Sequence, residues 1–135
     1  GVYFSYFVLK ALAQAGEHAL IYELISSDEK RSWGNMLKEG ATTCFEAWGK
    51  DQKWDTSLCH PWASAPIPIL IEEIVGLKPA EPGWKTVSFQ PRIPKTWSFF
   101  KLQIQVPAGN IRIEYKDGEW KEHFPAGVKT VRGNA

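Results

Sequence analysis

At 135 residues and a net charge of +1, the chain is long enough for one core, or for one small domain and part of another. That balance gives no basic face for nucleic acid or an anionic membrane, and no apolar run approaches the roughly 20 residues that span a bilayer. Two cysteines, Cys44 and Cys59, are too few for a disulfide framework and are expected free and buried, while seven tryptophans suit cores and sugar-binding surfaces alike.

The chain opens Gly-Val-Tyr-Phe, without an initiator Met, a basic leader or a small-residue cleavage site, so it is expected to begin inside a processed or longer polypeptide. Tyr3 to Ala15 is apolar almost all round, broken only by Ser5, Lys10 and Gln14, with Gly16 as its C-terminal stop. A helix apolar on every side belongs inside a larger body. Glu17 to Ile25 predicts a second helix with a stripe of Leu20, Ile21, Leu24 and Ile25, adjacent to the first. Asp28 to Lys38 continues as helix or broken helix, with Trp33, Met36 and Leu37 on one face. Pro66 and Pro68 open a further helix, in which Leu70, Ile71, Ile74 and Val75 pack, Glu72 and Glu73 face out, and Gly76 is the end.

At Lys78-Pro79-Ala80-Glu81-Pro82-Gly83 the composition changes, and the apolar period falls to two. Val87 with Phe89, then Leu102, Ile104 and Val106, then Ile111, Ile113 and Tyr115 alternate with polar residues. Asp117-Gly118 is a hairpin signal, and the phase of Trp97 and Phe99 against Leu102 predicts a β-bulge or bend near Phe100. The fold class is therefore α then β: helices over 1–77, then a small antiparallel β-sandwich over 78–135. The helices cannot cover one another, so they are expected to be the tail of a larger helical domain.

Between the third and fourth helices runs Gly40 to Trp62, whose spacing fits neither a long helix nor a strand. A loop of that length in a compact domain usually has a function. It holds Glu46, His60, Thr42, Thr43, Trp48, Trp54 and Trp62. Alone, Glu46 is a solvated loop carboxylate and His60, before a proline, a helix N-terminal hydrogen-bonder. Trp48, Trp54 and Trp62 suit core or sugar platform, with Trp48 and Trp62 better placed for the latter. Thr42 and Thr43 serve to hold the loop or to donate to a carboxylate. Asp51 and Asp55 read as solvated, Trp84, Trp97 and Trp120 as β-core or packing between the halves, and His18, Arg112 and Glu114 as surface residues. No metal or cofactor is implied, since His18, His60 and His123 lie far apart with no zinc-ligand spacing.

Gly40-Ala41-Thr42-Thr43, followed by Glu46 and Trp48, resembles the G-A-T-T-x-x-E-x-W motif of glycoside hydrolase family 78, the bacterial-type α-L-rhamnosidases. Ser57-Leu58-Cys59-His60-Pro61-Trp62-Ala63-Ser64-Ala65-Pro66 resembles that family's histidine-containing segment. Gly76-Leu77-Lys78-Pro79 and Phe89-Gln90-Pro91 resemble its exit from the helical barrel into the C-terminal β-domain. The resemblance covers nearly the whole chain. It implies the last helices of an (α/α)6 barrel followed by a β-sandwich, and inverting hydrolysis of terminal α-L-rhamnose from a glycoside or oligosaccharide. Glu46 falls on the general base and His60 on a sugar contact, with Trp48, Trp62 and Thr43 as further substrate-binding candidates. The general acid is expected upstream of Gly1, so this stretch by itself is expected to be inactive and prone to self-association, with the N-terminal part of the same polypeptide as its partner. Which rhamnoside and which compartment (periplasmic, secreted or cytoplasmic) stay open. The alternative is a non-catalytic carbohydrate-binding or structural β-sandwich with a helical stub.

Overall fold

A computed structural model describes residues 1–133. The described chain forms two compact units, Gly1–Glu73 and Ile74 onward. The first holds α1 (Ser5–Gln14), α2 (His18–Ser26), α3 (Trp33–Lys38), a 3-10 turn (Pro61–Ala63) and α4 (Pro66–Ile69). A π-helical turn, Leu70–Val75, follows α4 directly.

In α1 only Leu9 is buried, and Phe7 and Val8, with Tyr3 and Phe4 just before the helix, stay exposed, as an all-round apolar helix with few neighbours must. The stripe predicted on α2 is only partly covered. Ile21 is fully buried while Leu20 and Leu24 are exposed. The third helix starts later than expected, at Trp33 and not Asp28. Ser32 takes an extended conformation, and its hydroxyl accepts the Asn35 N–H at 3.1 Å, which fixes the helix start there. Of its predicted face, Met36 is buried but Leu37 is 71% exposed. Pro66 and Pro68 sit in the first turn of α4, where a missing N–H costs no helical bond.

Glu72 and Glu73 do not both face out. Glu73 is buried, and the Lys10 ammonium of α1 reaches Glu73 at 2.5 Å and Glu72 at 3.1 Å. The bonds to Glu73 and Glu72 raise the affinity of Lys10 for its proton against the opposing effect of burial. The core of this unit gathers Val2, Met36, Phe45 and Ala63, flanked by Trp33, Ala41, Cys44 and Trp48.

The second unit is two three-stranded sheets. β1 (Leu77–Pro79), β2 (Thr86–Phe89) and β6 (Lys129–Val131) form one, in the order β1-β2-β6. β3 (Phe99–Val106), β4 (Gly109–Lys116) and β5 (Glu119–His123) form the other, in chain order. All ladders are antiparallel except one: β6 runs parallel to β2, which departs from the all-antiparallel expectation. Phe89, Val87 and Leu77 of the first sheet pack on Val106, Ile111 and Ile113 of the second, which makes the two sheets the layers of one sandwich core. Val75 joins that core, which puts the end of the π-helical turn in the β-unit.

The predicted bulge is absent. Phe99 to Val106 pairs residue for residue with Lys116 to Gly109. The broken phase has a simpler cause: Phe99 lies on the exposed face with Lys101, while Trp97 precedes the strand in a turn closed by its N–H to the Pro94 carbonyl. Asp117 and Gly118 both have positive φ and form the two-residue turn between β4 and β5.

Candidate active site

The loop after α3 begins at a helix exit. Gly40 has φ +82°, its N–H bonds the Leu37 carbonyl, and the Ala41 N–H bonds the Met36 carbonyl, both at 2.9 Å. This pair of bonds is a Schellman ending, and it needs a residue that takes positive φ without strain, which is why the loop opens on glycine. Phe45 then plugs into the core beside Met36, and its N–H points at the Met36 sulfur at 3.4 Å.

Two stretches of the loop run side by side. The His60 N–H donates to the Cys44 carbonyl and the Glu46 N–H to the Ser57 carbonyl, each at 2.8 Å. The Thr43 hydroxyl donates to the Leu58 carbonyl and adds a third tie. The loop is therefore a pinned structure on a buried phenylalanine, and it presents Glu46 from one stretch and His60 from the other.

Glu46 is held at both oxygens. Lys53 Nζ is 2.6 Å from Oε1, and the Ser57 N–H donates to Oε2 at 3.1 Å. The Lys53 ammonium, the Ser57 amide and the more distant charge of His60 hold its carboxyl below the usual carboxylate range. Glu46 is thus an anion that only accepts hydrogen bonds, with its side chain partly open to solvent. Such a group can take a proton from water.

The other predicted residues separate. His60 and Trp62 come together, with ring centroids 5.3 Å apart and the rings edge to face. Trp62 also meets Tyr3 at 5.2 Å and is 65% exposed, so much of its indole is open to solvent. Trp48 packs edge-on to Trp33 at 4.8 Å, and its carbonyl accepts from the Asn35 side chain, which sets it against the core of the helical unit. Thr43 ties the loop through its hydroxyl. Trp54 is almost fully exposed. Both cysteines are free, but Cys59 is exposed, because it stands in the outer stretch of the loop and not against the core.

Sequence reasoning missed Lys53 and Ser57. The loop offers two lysines, and no spacing rule says which folds back on Glu46. Lys50 is occupied elsewhere, its ammonium on the Glu39 carbonyl and its N–H on the Glu39 carboxylate, both at 2.7 Å. Among the described residues no group of three or more His, Cys, Asp or Glu side chains is placed to hold a metal ion.

Two family models match nearly end to end. The bacterial alpha-L-rhamnosidase 6 hairpin glycosidase domain matches residues 1–74, and the bacterial alpha-L-rhamnosidase C-terminal domain matches residues 76–130. Among curated proteins, an alpha-L-rhamnosidase of Alteromonas sp. (strain LOR) is 30% identical over 111 residues, 77% of this chain and 12% of that protein. One from Formosa agariphila is 32% identical over 93 residues, 64% of this chain and 10% of that protein. The chain thus spans 12% and 10% of these relatives' own lengths. Among solved structures, the alpha-L-rhamnosidase of Dictyoglumus thermophilum superposes with a TM-score of 0.87 at 22% identity, over 98% of this chain and 16% of that one. The Streptomyces avermitilis alpha-L-rhamnosidase complexed with L-rhamnose gives 0.83 at 18%, over 92% and 13%. At those identities the structural likeness speaks for the fold.

Proposed function

Because the chain belongs to the bacterial α-L-rhamnosidase family, as its matches to both domain models show, we propose that it is the C-terminal part of a longer enzyme that hydrolyses terminal α-L-rhamnose with inversion. The helical unit contributes the last helices of an (α/α)6 barrel, and the sandwich is the domain that follows it in the chain. Glu46 is the general base. One observation carries this assignment: a carboxylate fixed at both oxygens, kept ionised by its neighbours, on a loop pinned at both ends.

Glu46 takes a proton from a water whose oxygen bonds to the anomeric carbon as the glycosidic C–O bond breaks. A carboxylic acid from another part of the polypeptide, roughly 6.5–9.5 Å away, protonates the departing oxygen. The incoming oxygen attacks the face opposite the leaving group, which inverts the centre. His60 donates to a sugar hydroxyl, and Trp62 lies against the apolar edge of the deoxy sugar. Trp48 and Thr43 bind substrate only indirectly, through the loop they hold.

The test is Glu46→Gln in the full-length polypeptide that contains this chain. Turnover of an aryl α-L-rhamnoside is expected to fall by about 10²–10⁴-fold, with an unchanged thermal midpoint. Near-normal turnover would overturn the assignment. Titrating the 135-residue chain with rhamnosides, read by indole fluorescence, is expected to show no saturable binding. Saturation would favour a carbohydrate-binding module over an incomplete active site.

A further inference from the structure

The loop brings one cation to Glu46 that neither the sequence motif nor the family match assigns. Lys53 lies seven positions further along the chain, yet its ammonium stands 2.6 Å from Glu46 Oε1. The turn that returns it is closed by the Thr56 hydroxyl, which donates to the Lys53 carbonyl at 2.8 Å. Asp55 sits 3.4 Å from the same ammonium. The result is a short chain of charge, Asp55 to Lys53 to Glu46, which ends on the proposed base.

We propose that Lys53 is a positioning residue for the hydrolytic step: its ammonium and the Ser57 amide clamp the two oxygens of Glu46, which fixes the plane of the carboxylate. The inference rests on the reading of Glu46 as general base. Each carboxylate oxygen has about two acceptor sites, so one donor on each leaves an acceptor free for water. A glutamate held at both oxygens cannot swing away from that water, and misplacement by about an ångström is enough to cost a large share of the rate.

The charge has a second consequence. The groups that act on Glu46 are Lys53, the Ser57 amide and His60, and all three favour its ionised form; Asp55 acts on it only through Lys53. Removing Lys53 raises the proton affinity of Glu46. The base is then protonated at a higher pH, and the acid limb of the kcat/KM profile, which reports the free enzyme's base, moves up.

The experiment measures kcat and kcat/KM against pH for an aryl α-L-rhamnoside, in the full-length polypeptide that contains this chain. Lys53→Met is expected to lower kcat by roughly tenfold and to shift the acid limb to higher pH at an unchanged thermal midpoint. Lys53→Arg, which keeps the charge, is expected to restore the limb. A Lys53→Met enzyme with an unshifted limb and kcat within about twofold of the parent overturns the proposal, while loss of turnover in Glu46→Gln still supports the base. Near-normal turnover in Glu46→Gln overturns both. If Lys53→Met does not fold, Asp55→Asn reads the same circuit with opposite sign. With Asp55 neutral, Lys53 pulls harder on Glu46 and the limb moves to lower pH, and an unmoved limb overturns the proposal.

Discussion

Lys10 shows what a single residue contributes away from the reaction. It is the charged one of three polar breaks in an otherwise apolar helix, and it spans from α1 to two carboxylates on the π-helical turn. Burial alone would lower its proton affinity, but the bonds to Glu73 and Glu72 outweigh that. A lysine raised above its usual value of 10.5 stabilises the fold fully below that value, and the stabilisation is lost as pH rises through the folded value. With Lys10 still 30% exposed, Lys10→Met is expected to cost about 1–2 kcal/mol at neutral pH. Chemical denaturation across the alkaline range checks both the size and the sign. A double-mutant cycle with Glu73→Gln isolates the pair. The sequence marked Lys10 as a break in the pattern. It could not mark its partners, which lie 62 and 63 positions away.

At the scale of elements, the boundaries that glycine and proline dictate were legible. Gly40 closes α3, Pro66 opens α4, and Gly76 follows the π-helical turn. Gly76 is under two constraints at once. Its φ is +77°, and a β-carbon there would stand 1.9 Å from the Gln90 carbonyl oxygen, part of the backbone that pairs with it. Gly76→Ala is expected to destabilise the β-unit by more than 2 kcal/mol, on the order of the strain and overpacking costs combined. The loss of near-ultraviolet aromatic signal on heating would report it, and a midpoint within a degree or two of the parent would refute it. Elements whose limits depend on contacts were less legible. Ser32 starts α3 because its hydroxyl finds the Asn35 amide, and Phe99 breaks the strand phase because it faces outward. Local sequence offers a serine and a phenylalanine without saying which way each will turn. The parallel pairing of β2 with β6 was equally hidden, since the two strands lie some forty residues apart and an alternating pattern carries no direction.

Across the whole molecule the two units differ in what they leave uncovered. Of the fourteen large apolar side chains exposed among the described residues, eleven lie in 1–73 and three in the β-unit. The β-unit closes its core between two sheets, whereas the helical unit leaves Phe4, Phe7, Leu24, Leu37 and Ile67 in solvent. Exposed apolar surface on that scale drives association. The 135-residue chain is accordingly expected to sediment with a mass that grows with concentration, and a monomer at every concentration would contradict this. The same uncovered surface suits a piece of a larger barrel, as the proposed function requires.

The sequence by itself determined that helices precede strands, the place of the loop, and the family, because periodicity and a short motif are local properties of a chain; the short strands β1 and β6 carry no such period. It singled out Glu46 by its neighbours Gly40 to Thr43 and Trp48. Only the tertiary structure decided what surrounds that carboxylate. A lysine and a backbone amide reach Glu46 because the loop doubles back, with Cys44 beside His60 and Glu46 beside Ser57. Which of two loop lysines makes that contact depends on where the chain crosses itself, and no pattern along the chain encodes a crossing.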